Sequence, residues 1–224
     1  MQRDVPFQDG EIYHVYNRGT NKMEIFNSES DYQRFVQLMY VCNQNQIVQL
    51  SVLSRSERKV NNLFQSERGS PLVSVLAYCL MPNHFHIILR QEVEGGISEF
   101  MRKIATSYSM YFNKRTQRTG TLFQGKFKSK HISDTWYLNH IFSYVHLNPV
   151  ELKFPHWKNS ISKSKKDIFK FLSSYVHSSY IDYFEKGRNE KSVLVVDTSM
   201  PWSEHIRIPE QMLSFYEDRA RDVV

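Results

Sequence analysis

His84 and His86, separated by Phe85, carry the most pointed chemistry in this 224-residue sequence. Alternate side chains of a strand share a face, so both imidazoles project together while Phe85 turns to the opposite, core side. Two neutral nitrogen donors on one face can hold a divalent cation. The triplet alone decides little. With 9 His in the chain, about 0.4 His-x-His occurrences arise by chance, and two hydrogen-bonded histidines beside a sheet edge would explain it. A second set shifts the balance. Leu138, Ile141, Phe142 and Val145 recur at helical spacing as a core stripe, and His140, Tyr144 and Asn148, four apart, form another stripe roughly 110° round the same helix. That stripe offers a phenol and, one turn on, an amide oxygen. A helix laid across the sheet would set the Tyr144 phenol beside a cation on His84 and His86, with Asn148 completing the shell. Plain structural roles compete: an inert boundary aromatic for Tyr144, and a helix-ending residue before Pro149 for Asn148.

The elements that must position these groups can be read along the chain. EIYHVYN (11–17) alternates and is rich in β-formers, which predicts a strand ending at Arg18-Gly19. Ser28 or Ser30 can cap a helix from about Asp31 to Cys42, with Phe35, Leu38 and Met39 on its apolar face. Residues 43–71 are polar and punctuated, with room for a short strand around Ile47–Leu53. LVSVLAYCL, the link MPN, and HFHIILR predict an antiparallel hairpin at the centre of the sheet. After Gly95-Gly96, the spacing of Ile97, Phe100, Met101, Ile104, Tyr108 and Phe112 predicts an amphipathic helix. Another strand is expected between Leu122 and Ile132, then a helix capped by Ser133 and stopped near Asn148. The order β-α-β-β-α-β plus a helix fits an α+β fold, a ferredoxin-like antiparallel sheet with helices on one face followed by the C-terminal helix that carries the tyrosine. Residues 1–150 form the predicted functional domain. Residues 151–224 are an extension with a basic patch at Lys163, Lys165 and Lys166, a strand expected at SVLVVD and an amphipathic stretch from Pro209.

Composition narrows the partner. The chain has 29 Lys+Arg against 23 Asp+Glu, a formal charge of +6, and 14% aromatics. Residues 101–131 concentrate the excess: eight Lys or Arg and no Asp or Glu, interleaved with Tyr108, Tyr111, Phe112, Phe123 and Phe127. Such a segment suits a groove that tracks phosphates and offers faces to unpaired bases, although a solvated basic stripe over a helical core face has the same composition. Cys42 and Cys79 are too few for a disulfide framework or a thiolate zinc site and fit a reducing compartment. No run approaches the ~20 apolar residues of a membrane helix, and the first residues lack the apolar core of a secretory signal. The expectation is a cytoplasmic protein with no membrane partner.

Four blocks, YHVYNRG (13–19), YCLMPNHFHIILR (78–90), GTLFQGKF (120–127) and YVHLNPV (144–150), occur in this order. Together they resemble the single-tyrosine HUH transposases, in particular the REP-associated tyrosine transposase branch, and HSSYIDY (177–183) is similar to the usual tail of that branch. The resemblance spans about two thirds of the chain. It implies a DNA endonuclease and strand transferase with a ferredoxin-like core, acting on single-stranded or hairpin DNA. His84 and His86 match the paired metal ligands, Tyr144 the nucleophile, and Asn148 a position where relatives supply a third ligand. The polar insertion at 43–71 and the Lys/Ser-rich segment near 157–170 depart from the pattern. They bear on oligomerisation, with monomer and homodimer both open, and on target choice.

A phenol with a pKa of about 10 is mostly protonated at neutral pH, and a phosphodiester repels an attacking anion, so Mg²⁺ or Mn²⁺ is expected at the His84/His86 site. Attack by Tyr144 would give a 5′-phosphotyrosine and a free 3′-hydroxyl, and a later 3′-hydroxyl could reverse the step without ATP. Tyr137, seven residues earlier, is the alternative nucleophile. Arg18, Lys126, Lys128 and Lys130 are the candidate DNA-binding cations, the lysines alternating along one side of a strand; lysines that protect a sheet edge would look the same. Asn17 and Gln124 are candidates for base contacts. Three alternatives stand beside this reading: a rolling-circle replication or relaxase-type nuclease, a non-catalytic, domesticated DNA-binding protein, and an unrelated His-x-His metal protein such as a cupin.

Overall fold

Four antiparallel strands make one sheet in the order β2-β3-β1-β4: β1 (Ile12–Arg18), β2 (Val73–Met81), β3 (His84–Gln91) and β4 (Lys128–Ile132). The computed structural model describes residues 6–45, 64, 69–157, 161–185, 187–195 and 208–221. The strand expected around Ile47–Leu53 lies outside them. The helices are α1 (Glu29–Val41), α2 (Gly96–Thr116), α3 (Thr135–Leu147), α4 (Val150–Lys153), α5 (Ile161–Ser174), α6 (Tyr180–Phe184) and α7 (Pro209–Arg221). The element order is the expected ferredoxin-like one. Helices α1 and α2 cover one face of the sheet, and α3 with the later helices covers the other.

β2 is buried at every position, as a strand covered on both faces must be. The two-residue link Pro82-Asn83 returns the chain into β3. A register shift between Val75 and Ala77 makes Leu76 the extra residue of a bulge, which re-aims the rest of the strand. Val75, Tyr78 and Leu80 therefore enter the first core with Phe85, Ile87 and Leu89 of β3 and Val15 of β1. Phe35, Leu38 and Met39 of α1 and Ile97, Phe100, Ile104, Tyr108 and Phe112 of α2 close that core. Cys79, Met81 and Ile88 face the other way and meet Leu138, Ile141, Phe142 and Val145 of α3. Each such side chain contributes about 1.5–3 kcal/mol when fully buried, so the site-bearing helix is held by its apolar stripe.

Local signals explain the ends of the elements. Ser28 and Asp31 form a reciprocal capping box at α1, and Asp31 also receives Arg115 of α2 at 2.7 Å, tying the two helices together. At α3 the cap is Asp134 rather than the expected Ser133: its carboxylate accepts from the Tyr137 N–H at 2.8 Å, and a negative charge suits a helix N-terminus better than a hydroxyl. β4 begins at Lys128 rather than near Leu122. Gly125 takes a left-handed backbone, φ +73°, which interrupts extended geometry, and its carbonyl is held by Asn17 Nδ2 at 3.1 Å.

Beyond residue 150 the chain builds part of the second core, through Ile168, Leu172, Tyr180, Met212 and Leu213. It also lines the outer edge of β2. Leu80 N–H donates to the His177 carbonyl at 2.9 Å, Ser179 N–H to Tyr78 at 3.0 Å and Val195 N–H to Val75 at 2.9 Å. The strand expected at SVLVVD reduces, among described residues, to a 3-10 turn over Asn189–Val193 and one parallel bridge from Leu194 to Val75. No helix among the described residues is long and apolar enough to cross a membrane.

Candidate active site

The strand register assembles the site. Tyr16 of β1 is opposite His86, and Arg18 is opposite His84. On the other side of β1, Lys128 is opposite Tyr16 and Lys130 opposite His14. Residues directly opposite in an antiparallel pair share a face, so His84, His86, His14, Tyr16, Arg18, Lys128 and Lys130 all lie on the side covered by α3. The two imidazoles of the pair have centroids 5.0 Å apart with planes at 89°. From α3 the Tyr144 ring meets His86 edge-on at 5.3 Å and His14 at 6.0 Å. One turn later Asn148 Nδ2 donates to the Tyr144 carbonyl at 2.9 Å. The Asn148 side chain also favours the protonated form of His84, as an amide oxygen near that ring does. The structure thus brings His84, His86, Tyr144 and Asn148 together. Tyr137 is elsewhere on the helix, its ring under the Lys130 ammonium at 4.9 Å.

Burial keeps these imidazoles neutral. Desolvation, reinforced by His14 and His84, holds His86 well below the usual histidine range. Desolvation also lowers His84, with the Arg18 charge adding to it, and it takes His14 to about 4, with Lys130 as the lesser cause. Neutral rings have lone pairs to offer. His86 Nδ1 is 2.9 Å from His14 Nε2, and His84 Nδ1 is 2.6 Å from Asn83 Oδ1. With those Nδ1 atoms protonated, both Nε2 lone pairs remain for a cation, the arrangement in which a neighbouring acceptor fixes the tautomer of a ligating histidine. His84 also has amide oxygens on two sides, from Asn83 and Asn148, and a neutral ring can donate to only one of them. A cation between His84 and Asn148 would satisfy the other, so the donor set fits a divalent ion taking two imidazole nitrogens and one amide oxygen. Among the described residues no group of three or more His, Cys, Asp or Glu side chains could hold a metal.

The remaining candidates divide between the two faces. Arg18 is exposed beside His84, its Nε donating to Gln124 Oε1, while the Gln124 N–H donates to the Arg18 carbonyl at 2.8 Å. Lys128 and Lys130 are exposed on the site face. Lys126 is not in line with them. It precedes the strand and lines, with Asn17, Phe85, Phe123 and Met101, a cavity of about 720 Å³ on the α2 side of the sheet. Asn17 is buried there, its amide spent on the Gly125 carbonyl and the Arg18 N–H, so it holds the 120–127 loop in place and does not meet the His pair. Sequence reasoning missed His14 and Tyr16. Their signal was present in the alternation of YHVYN, which gives them the parity of Arg18, but it becomes legible only once β1 is known to lie beside β3.

Residues 32–148, more than half of the chain, match the family described as "Transposase IS200 like". The matched span includes His84, His86, Tyr144 and Asn148. A solved structure of a REP-associated tyrosine transposase bound to a REP hairpin is similar with a TM-score of 0.49 and 14% sequence identity, over 82% of this chain and 84% of that one. Comparison with curated proteins finds no match.

Proposed function

This chain belongs to the IS200-like transposase family, and from that premise we propose that it cuts and rejoins single-stranded DNA through Tyr144, with a hairpin as the recognised form. The observation that carries the reading is the Tyr144 ring lying 5.3 Å from that of His86, with His84 and Asn148 beside it. In the proposed step the phenol oxygen bonds to phosphorus, the bond from phosphorus to the 3′ oxygen breaks, and the phenolic proton is lost as the 3′ oxygen gains one. The products are a 5′-phosphotyrosine and a 3′-hydroxyl, and attack by a 3′-hydroxyl on the phosphotyrosine runs the step backward, joining strands. Mg²⁺ or Mn²⁺ held by His84, His86 and Asn148 would withdraw charge from the phosphate and orient it. Arg18 and the exposed Lys128 and Lys130 would hold flanking phosphates.

Denaturing electrophoresis of the protein with labelled single-stranded hairpin DNA tests this reading. The expected result is a covalent adduct that forms with Mn²⁺ and disappears on chelation. Tight binding without any adduct, across many sequences, would instead make the protein a non-catalytic DNA binder.

His14 has a positioning role in this scheme, because its Nε2 fixes the tautomer that leaves His86 Nε2 free. Mn²⁺ affinity, measured by calorimetry without DNA, should fall by about 10- to 100-fold in His14→Ala. His14→Gln, which can still present an acceptor to His86, should fall less. Equal losses would assign His14 a packing role only.

A further inference from the structure

The first turn of α3 carries an aromatic that the core does not use. Trp136 is 43% exposed, and its indole stacks on His140 with centroids 5.9 Å apart and planes 8° from parallel. Tyr137 stacks on the same imidazole at 15° and has the Lys130 ammonium over its ring. A single exposed tryptophan is ordinary. This one belongs to a group of nearly parallel rings, of which Tyr137 has the Lys130 ammonium over it, and Lys128 and Lys130 are exposed at strand positions that put them on the α3 side of the sheet. Asp134, the acid of the same turn, is committed to the helix cap.

The patch is continuous with the candidate active site. From His86 the face runs through Tyr16 and His14 on β1 to Lys128 and Lys130 on β4. Along the helix, Tyr144 and Tyr137 are two turns, about 10 Å, apart. A strand with a phosphate at Tyr144 would carry its next nucleotides over this ground. Flat rings accept any base by stacking, and neighbouring lysines accept its phosphate.

The geometry points to Trp136 as a stacking platform for an unpaired base flanking the cleaved phosphate, with Lys128 and Lys130 taking the backbone. This rests on the strand-cutting reading above, and its test is separable from that reading. The probes are a short oligo(dT) and its abasic counterpart, the same backbone without bases, titrated onto the full-length Tyr144→Phe protein without metal. Oligo(dT) should quench tryptophan emission by an amount that is missing from the Trp136→Ala form, and the abasic strand should not. Trp136→Ala should weaken oligo(dT) binding by about 10-fold and leave abasic binding unchanged, and Trp136→Phe should recover part of the loss. Lys130→Ala should weaken both strands and lower the slope of log affinity against log salt by about one. Trp136→Ala binding oligo(dT) as tightly as its parent, or losing both strands equally, overturns the platform. That result leaves cleavage untouched if the wild-type protein, with Tyr144 in place, forms its adduct. Base-dependent loss in Trp136→Ala, with no adduct from the wild-type protein on any strand, would keep the platform and remove the nuclease.

Discussion

Tyr144→Phe should abolish the covalent DNA adduct and strand cleavage, by about 10³-fold or more, while the protein stays folded. The ring makes the contacts seen in the structure: it packs edge-on against His86 and His14 and on the second core. Phenylalanine keeps all of these. No described residue provides a hydrogen bond to the Tyr144 hydroxyl, so removing it leaves no buried partner unsatisfied, and the stability change should be below about 1 kcal/mol. What is lost is the oxygen proposed to bond to phosphorus. Single-turnover assays with labelled hairpin DNA, alongside thermal unfolding of the same samples, separate the two effects. Tyr137→Phe is the control. If Tyr144→Phe still forms adduct and Tyr137→Phe does not, the nucleophile is the tyrosine under Lys130, and the imidazole pair serves some other group.

How much of this could be read in advance depends on whether a signal was local. His84 and His86 follow from strand alternation, and Tyr144 and Asn148 from their angle to the stripe of Leu138, Ile141, Phe142 and Val145, so the four candidate residues that the fold brings together were legible from two periods. The site face of β1 was not. His14 reaches His86 only because β1 inserts between β3 and β4, a pairing that no spacing within EIYHVYN encodes. Asn17 had the parity of Val15 and so belonged with the first core, but its polar side chain suggested a ligand contact instead of a brace for a loop. Lys126 shares the parity of Lys128 and Lys130, yet parity has meaning only within a strand, and the left-handed backbone at Gly125 ends that regularity. The tail was the least legible part because its backbone bonds run to β2, about a hundred residues away.

That tail leads to the second large effect, in stability. Asp182→Ala should destabilise the protein by about 3–5 kcal/mol, read as a lower urea midpoint. Asp182 is buried and receives Arg188 on both oxygens at 3.0 Å. The same guanidinium donates to the Tyr78 hydroxyl and the Ser178 carbonyl, each at 2.9 Å, so removing the carboxylate strands a mostly buried cation on the edge of β2. Arg188→Leu with Asp182→Leu should recover much of the loss, since a matched apolar pair replaces a buried ion pair at little cost. Failure of that double variant to recover would mean that the guanidinium's bonds to Tyr78 and Ser178 matter more than the ion pair. The consequence reaches α3, the helix that carries Tyr144. Ser179, three residues before Asp182, bonds His146 Nε2 of α3 at 2.8 Å and the Tyr78 N–H at 2.9 Å, so one serine links the tyrosine helix to the sheet that carries the imidazoles. Division of the chain at residue 150 would cut this link and uncover the faces of Leu138, Ile141 and Phe142 now packed with Leu172, Tyr180 and Leu213. A fragment ending there should expose apolar surface, bind a hydrophobic dye and self-associate. A monomeric, cooperatively unfolding 1–150 fragment would show instead that the extension is dispensable, and would free Tyr144 from any dependence on it.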